Sequence, residues 1–139
     1  MHKHASPKHH WPVRVYYEDT DAAGVVYYAN YLKFCERART EWLRALGFEQ
    51  QQLRDERGVV FVVRSVTGEY LTSAVLDDAL VVETHVAEIG RAKLIFAQKI
   101  LRGEDVLFES KVGVVCVDWS KKKPASIPDD LRALLEILK

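Results

Sequence analysis

Cysteine is scarce in this 139-residue chain: Cys35 and Cys116 stand far apart and form no CxxC pair. Each sits among apolar neighbours, so both read as buried reduced thiols, which argues against a disulfide and fits a reducing cytoplasm. No apolar run approaches the ~20 residues of a membrane-spanning helix, and no signal-peptide core follows the basic start. Neither sign of charge is in excess, with 20 Lys and Arg against 20 Asp and Glu. There is therefore no overall electrostatic case for nucleic acid or an anionic membrane surface. Several site signatures are missing as well. Without a G-x-S-x-G elbow an α/β-hydrolase is excluded, and without G-x-G-x-x-G or a P-loop so are the corresponding nucleotide sites. No HExxH or Cys/His cluster lies inside the fold, so no metal is expected there.

What is present is enough apolar material, 48% of residues, for one domain with its own core. The opening MHKHASPKHH holds four of the five histidines. It lacks a second set of ligands at structural spacing, so residues 1–10 are expected to be a disordered leader and residues 11–139 a single domain. Val13, Val15 and Tyr17 alternate with Arg14, Tyr16 and Glu18 as a strand does. After a turn at DTDAAG, apolar residues recur at helical spacing from Tyr31 through Phe34/Cys35, Ala38, Trp42 and Ala45/Leu46. This predicts a helix over 30–46, with Asn30 placed as N-cap, a short helical turn beginning near Val26 as the alternative, and Gly47 as the stop. A shorter helical piece over 50–57 follows.

Four strands are then predicted at 59–71, 79–88, 92–102 and 106–118, joined by connections short enough only for antiparallel neighbours. A basic loop (Lys121, Lys122, Lys123) precedes a final helix that starts near Pro128 with acidic residues in its first turn. The expected class is α+β: a five-stranded antiparallel sheet against one long helix, with a small C-terminal helix.

The usable chemistry is concentrated in YYEDTDAAGVVYYANY, residues 16–31. Glu18, Asp19 and Asp21 crowd the end of a strand, and a helix start follows with unpaired backbone N–H groups. Two readings of Asp21 stand side by side. Its carboxylate hydrogen-bonds the turn backbone, as Asp often does, or it faces a carbonyl polarised by N–H groups around Tyr28 and attacks it or activates a water. His85, alone in a strand, reads as a core or surface histidine.

The segment HWPVRVYYEDTDAAGVVYYANYLKFCERARTEWLRALGF closely resembles the start of YbgC-type acyl-CoA thioesterases, in the 4-hydroxybenzoyl-CoA thioesterase group of the hotdog superfamily. Similarity continues through VVFVVRSVTGEYLTSAVLDDAL and FESKVGVVCVD, covering about residues 10–130. The resemblance implies a sheet wrapped around one central helix, in agreement with the element order. It places the catalytic carboxylate, the second Asp of E-D-T-D, on Asp21 and the oxyanion donor on the backbone N–H of Tyr28. It implies an acyl-CoA substrate, no cofactor, and a homodimer or homotetramer with sites at the subunit boundary. Acyl carrier protein and the Tol-Pal envelope system are the associations it suggests.

Many YbgC-type sequences carry His where Tyr28 stands, and the 4-hydroxybenzoyl-CoA branch carries an aromatic residue. The backbone donor survives that change; an imidazole contribution does not, and aliphatic and aroyl substrates both remain open. Tyr27, Tyr28 and Tyr31 are candidates for an acyl pocket and equally for packing. Arg64, Arg91 and Lys93 are candidate cations for the CoA phosphates. Two rivals are kept: a non-catalytic acyl-thioester binder on the same fold, and a dehydratase using His85, which lacks the G-D-x-N-P context.

Overall fold

The computed structural model describes residues 8–139. Strand β1 (His9–Arg14) leads through a tight turn to helix α1 (Asn30–Ala45). A short helix α2 (Gln50–Gln52) then runs into a wider π-type turn (Leu53–Arg57). Strands β2 (Val59–Tyr70), β3 (Ala79–Ile89), β4 (Lys93–Arg102) and β5 (Asp105–Asp118) follow, with a two-residue β6 (Lys123–Pro124) and helix α3 (Asp129–Leu138). All pairings are antiparallel, in the order β1-β3-β4-β5-β2, with β6 added on β5. The sheet curls around α1, the α+β hotdog arrangement that the resemblance implies. Among the described residues no helix is long and apolar enough to cross a membrane.

Three expectations need correction. The sheet has six strands rather than five, because the chain after β5 turns back to pair Val117 with Pro124 and Asp118 with Lys123. The first strand starts at His9, so His9 and His10 belong to the sheet and not to a leader; residues 1–7 of that leader lie outside the described residues. Backbone pairing of His9 with Thr84 and His10 with Glu83 needs no apolar side chain. The His9 ring also stacks on Trp42, with centroids 6.0 Å apart. Finally, Asn30 is the first helical residue and not a cap; the alternative of an earlier helical turn holds, and that turn pairs the Asn30 N–H with the Tyr27 carbonyl at 2.8 Å. Its side chain is thereby released for another partner.

Helix α1 buries Tyr31, Phe34, Cys35, Ala38, Trp42 and Leu43 on one stripe, as its sequence period requires. The stripe divides the core in two. Tyr31, Phe34, Cys35 and Ala38 pack with Leu80, Val82, Ile100, Leu107 and Phe108. Trp42 and Leu43 pack with Phe96, Val112, Val114 and the α3 residues Leu131 and Leu135. Burial pushes the Cys35 thiol up to about 11 and raises Cys116 as well, so both stay protonated. At the opposite end, Arg57 grips Asp130 through two bonds of 2.8 Å, which holds that carboxyl at about 2.

Between the two clusters runs a chain of buried polar groups. Arg39 donates from Nη1 to Gln98 Oε1 at 2.9 Å; Gln98 Nε2 donates to Thr84 Oγ1 at 2.9 Å and to the Cys35 carbonyl at 3.0 Å. Gln98 and Thr84 are 2% and 0% exposed, so no water can replace a lost partner. Gln98→Leu should therefore destabilise the protein by about 3 kcal/mol in urea denaturation, because it strands the Arg39 guanidinium. A loss below about 1 kcal/mol, the worth of one ordinary hydrogen bond, would contradict this role.

Candidate active site

The site is assembled where β1 hands over to α1. After Val15, which is fully buried, a single 3-10 turn (Tyr17–Asp19) is tied by Tyr16 N–H donating to Asp19 Oδ2 at 2.9 Å. The next turn belongs to Asp21. Its N–H donates to the Val25 carbonyl at 2.9 Å, and its own carbonyl accepts from Gly24 N–H at 3.0 Å. Its carboxylate Oδ1 accepts from Ala23 N–H at 2.8 Å. The turn-forming reading of Asp21 is thus realised, but it uses only one carboxylate oxygen. Oδ2 meets no donor among the described residues, and the side chain is exposed. One oxygen orients the group while the other is open to chemistry.

The returning chain pairs Thr20 with Val26 and Val25 with Val75, and Val26 N–H donates to the Ala74 carbonyl at 2.8 Å. The Asp19 carbonyl then takes two donors: Tyr27 N–H at 3.0 Å and the released Asn30 Nδ2 at 2.9 Å. Among the described residues, the N–H groups of Tyr28 and Ala29 are left without an acceptor. They sit at the positive end of a sixteen-residue helix, where an incoming anion or polarised carbonyl oxygen is favoured.

Beside them opens a cleft of about 150 Å³ lined by Val26, Tyr28, Tyr31, Tyr70, Leu71 and Thr72. Its wall is aromatic. Tyr70 meets Tyr28 edge-on at 5.8 Å, lies stacked 5.6 Å from Tyr31, and is 4.7 Å from Phe108. Tyr28 and Tyr31 therefore line the cleft. Tyr27 is exposed next to it, its ring 4.9 Å from that of Tyr28. Asp21 does not line the cleft within one chain. Tyr70 and the Leu71–Thr72 wall went unforeseen; Tyr70 shows in the sequence only as the last residue of a strand, with no local signal of a site.

The three candidate cations are not gathered here. The Asp21 turn sits against residues 74–78, at the sheet end where β3 begins and β4 finishes. Arg91 and Lys93 lie at the other end, around the β3–β4 hairpin, and Arg91 Nη1 already donates to Ser126 Oγ at 2.7 Å. Arg64 is exposed at the register irregularity in the middle of β2. Lys122 covers the Trp119 ring at 3.2 Å, also at the far end.

A larger hollow, about 410 Å³, lies elsewhere, on the sheet face turned away from α1. It is lined by residues such as Glu69, Glu83, His85, Lys99 and Lys111. It shares no residue with the Tyr28 cleft, and its mixed charges are those of a solvated sheet face. His85 faces this hollow, which separates it from Asp21 and Tyr28.

Residues 15–135 match the model of the thioesterase-like superfamily. The chain is 50% identical over 129 residues to the acyl-CoA thioesterase YbgC of Haemophilus influenzae, covering 93% of this chain and 95% of that protein. It is 52% identical over 124 residues to the acyl-CoA thioester hydrolase YbgC of Escherichia coli O6:H1, covering 88% and 92%. A probable thioesterase from Bartonella henselae has the same architecture, with a TM-score of 0.83 and 36% identity over 87% of this chain and 99% of that one.

The turn that presents Asp21 depends on Gly24, whose φ of +84° lies in the left-handed region. A Cβ there would meet nothing within 4 Å, so the penalty of a side chain is conformational alone. Gly24→Ala should cost about 1 kcal/mol and lower Tm by roughly 3 °C. Gly24→Asn should cost less, since Asn tolerates this conformation. Equal melting of all three proteins would show the turn to be unstrained.

Proposed function

The chain belongs to the thioesterase-like superfamily, and on that premise we propose that it hydrolyses acyl-CoA thioesters to free acid and CoA. Asp21 is the reacting carboxylate and the Tyr28 N–H is the oxyanion donor. The observation that carries this reading is the Tyr28 N–H at the head of α1, unpaired among the described residues, beside an aromatic cleft and seven residues after a carboxylate with one oxygen free among those residues. In the transition state the thioester oxygen gains charge, and the helix N-terminus stabilises it there more than in the ground state. One such donor contributes on the order of 3 kcal/mol.

Two routes share this geometry. In one, Asp21 Oδ2 attacks the carbonyl carbon, the C–S bond breaks, CoA leaves as thiolate, and water hydrolyses the resulting acyl anhydride. In the other, Asp21 takes a proton from a water that attacks directly, and the proton passes on to the departing thiolate. A thiolate is a stable leaving group, so neither route demands a strong general acid.

A second copy of the chain completes the site in this reading. Strand β2 is a twelve-residue edge carrying Val62, Val63 and Val66 at 41%, 45% and 44% exposure. Such an apolar edge calls for a partner. Antiparallel pairing of two β2 edges turns one sheet end over end relative to the other. The partner's Arg91 and the partner's Lys93 then stand at the same end of the joint sheet as Asp21. With Arg64 on the shared edge, these cations meet the CoA phosphates, while Tyr27 and Tyr31 border the acyl group. By the same resemblance the assembly is a dimer or tetramer, and acyl carrier protein presents the same thioester to the site. The protein then works in the cytoplasm beside the Tol-Pal system.

Asp21→Asn should keep the fold by circular dichroism and lose turnover by about 10²–10⁴-fold. The measurement is release of free CoA thiol from a panel of short, long and aromatic acyl-CoAs. Wild-type rates in that variant would sink the assignment, and tight binding without turnover in the wild type would make the protein a binder. Label found in Asp21 after single turnover in ¹⁸O water would identify the nucleophilic route, with the anhydride opened at the Asp21 carboxyl carbon. Sedimentation should show a dimer or tetramer at working concentration, and a monomer would remove the partner's cations from the site.

A further inference from the structure

The geometry points to Tyr31 as a positioning residue that holds the Asp21 turn in place through its hydroxyl while its ring borders the cleft. This rests on the reading of Asp21 as the reacting carboxylate. Tyr31 leaves the first turn of α1 and is 2% exposed. Its hydroxyl is inserted in the backbone of the segment that follows β2: it accepts from Ala74 N–H at 2.8 Å and donates to the Thr72 carbonyl at 3.2 Å. Ala74 is fully buried, so its N–H has no water to turn to if the hydroxyl is removed.

The same short segment braces the catalytic turn. The Ala74 carbonyl accepts from Val26 N–H at 2.8 Å, and the Val25 carbonyl accepts from Asp21 N–H at 2.9 Å. The Val25–Val75 bridge ties the two stretches together a second time. Three hydrogen bonds thus lead from the Tyr31 phenol to the Asp21 amide: hydroxyl to Ala74, Ala74 to Val26, and Val25 to Asp21. Segment 72–76 has an outer anchor as well, since Asp78 Oδ2 accepts from Val75 N–H at 2.9 Å and from Arg102 Nη1 at 2.7 Å. Thr72 N–H is held separately by the Leu107 carbonyl at 3.2 Å, so the Tyr31 hydroxyl is what fixes the Ala74 N–H.

Packing alone does not call for the phenol. The Tyr31 ring meets Phe34, Tyr70 and Phe108 with centroids 5.5–6.5 Å away, and a Phe ring would make the same contacts. The hydroxyl is the feature that reaches segment 72–76, which braces the turn. A carboxylate displaced by about 1 Å from a reacting carbon forfeits on the order of 10²-fold in rate, so the effect falls on turnover and not on CoA binding.

The test is Tyr31→Phe, assayed with whichever acyl-CoA of the panel is turned over fastest, alongside amide hydrogen exchange. The expected result is a kcat lowered about 10–100-fold with KM within about twofold. Exchange should accelerate at Asp21, Val26 and Ala74, while the middle of α1 and the β3–β4 ladder stay unchanged. In the Asp21→Asn background the same substitution should bring no further loss, because both changes act on one group. Retained kcat, a raised KM with kcat intact, or unaltered exchange at those three amides would overturn the role. If Asp21→Asn keeps wild-type turnover, the carboxylate reading fails by itself, and the exchange pattern alone decides whether Tyr31 braces the turn. Should Tyr31→Phe not fold, exchange in the wild type decides: Ala74 and Val26 amides as slow as the core of α1 support the brace, and amides as fast as an open turn refute it.

Discussion

Everything in this molecule is arranged around one requirement: helix α1 must be buried along its whole stripe, yet its N-terminus must stay open. Curling a single sheet around the helix meets the first half. The buried Arg39–Gln98–Thr84 chain, with its branch to the Cys35 carbonyl, links helix and sheet at mid-length. A purely apolar interface tolerates small rotations and slides; a buried polar chain is expensive to break and admits one alignment. The position of the helix head, and with it the direction of the Tyr28 N–H, follows from that alignment.

The open N-terminus depends on how acceptors are distributed in the loop before it. A helix start normally has its orphan donors met by a side-chain cap. Here the residue suited to capping, Asn30, is drawn into the first turn and spends its amide on the Asp19 carbonyl. That carbonyl is shared with Tyr27 N–H, so no local acceptor is left for Tyr28. The acidic cluster divides its labour in the same way. Asp19 ties the tight turn with its side chain, and Asp21 ties the next turn with one oxygen and keeps the other free. The aromatic rings of Tyr28, Tyr31 and Tyr70 stand beside these donors as one wall of the cleft.

Much of this was legible in the residues. The helix over 30–46 and the four long strands were drawn to within a residue or two at each end, because hydrophobic period and turn chemistry are local properties. The acidic turn stood out by composition, and the resemblance singled out Asp21 from its neighbours. What escaped was whatever needed a distant partner. His9 and His10 look like leader but lie in a strand, since β3 offers them a backbone ladder. Asn30 looks like a cap, but Asp19 lies within its reach. Tyr70 carries no mark of a site until the end of β2 is brought against Tyr28 and Tyr31.

By itself, then, the sequence determined the elements, their class, the absence of motifs for other chemistries, and the turn in which a carboxylate precedes a helix start. These follow from side-chain periodicity and backbone preference, which act over a few residues. Only the tertiary structure decided that the Tyr28 N–H is free among the described residues, that the Tyr31 hydroxyl reaches the segment bracing Asp21, and that Arg91 and Lys93 lie at the far end of the same sheet. Those outcomes depend on which strands are neighbours and in what register, and both are set by burial of the helix as a whole.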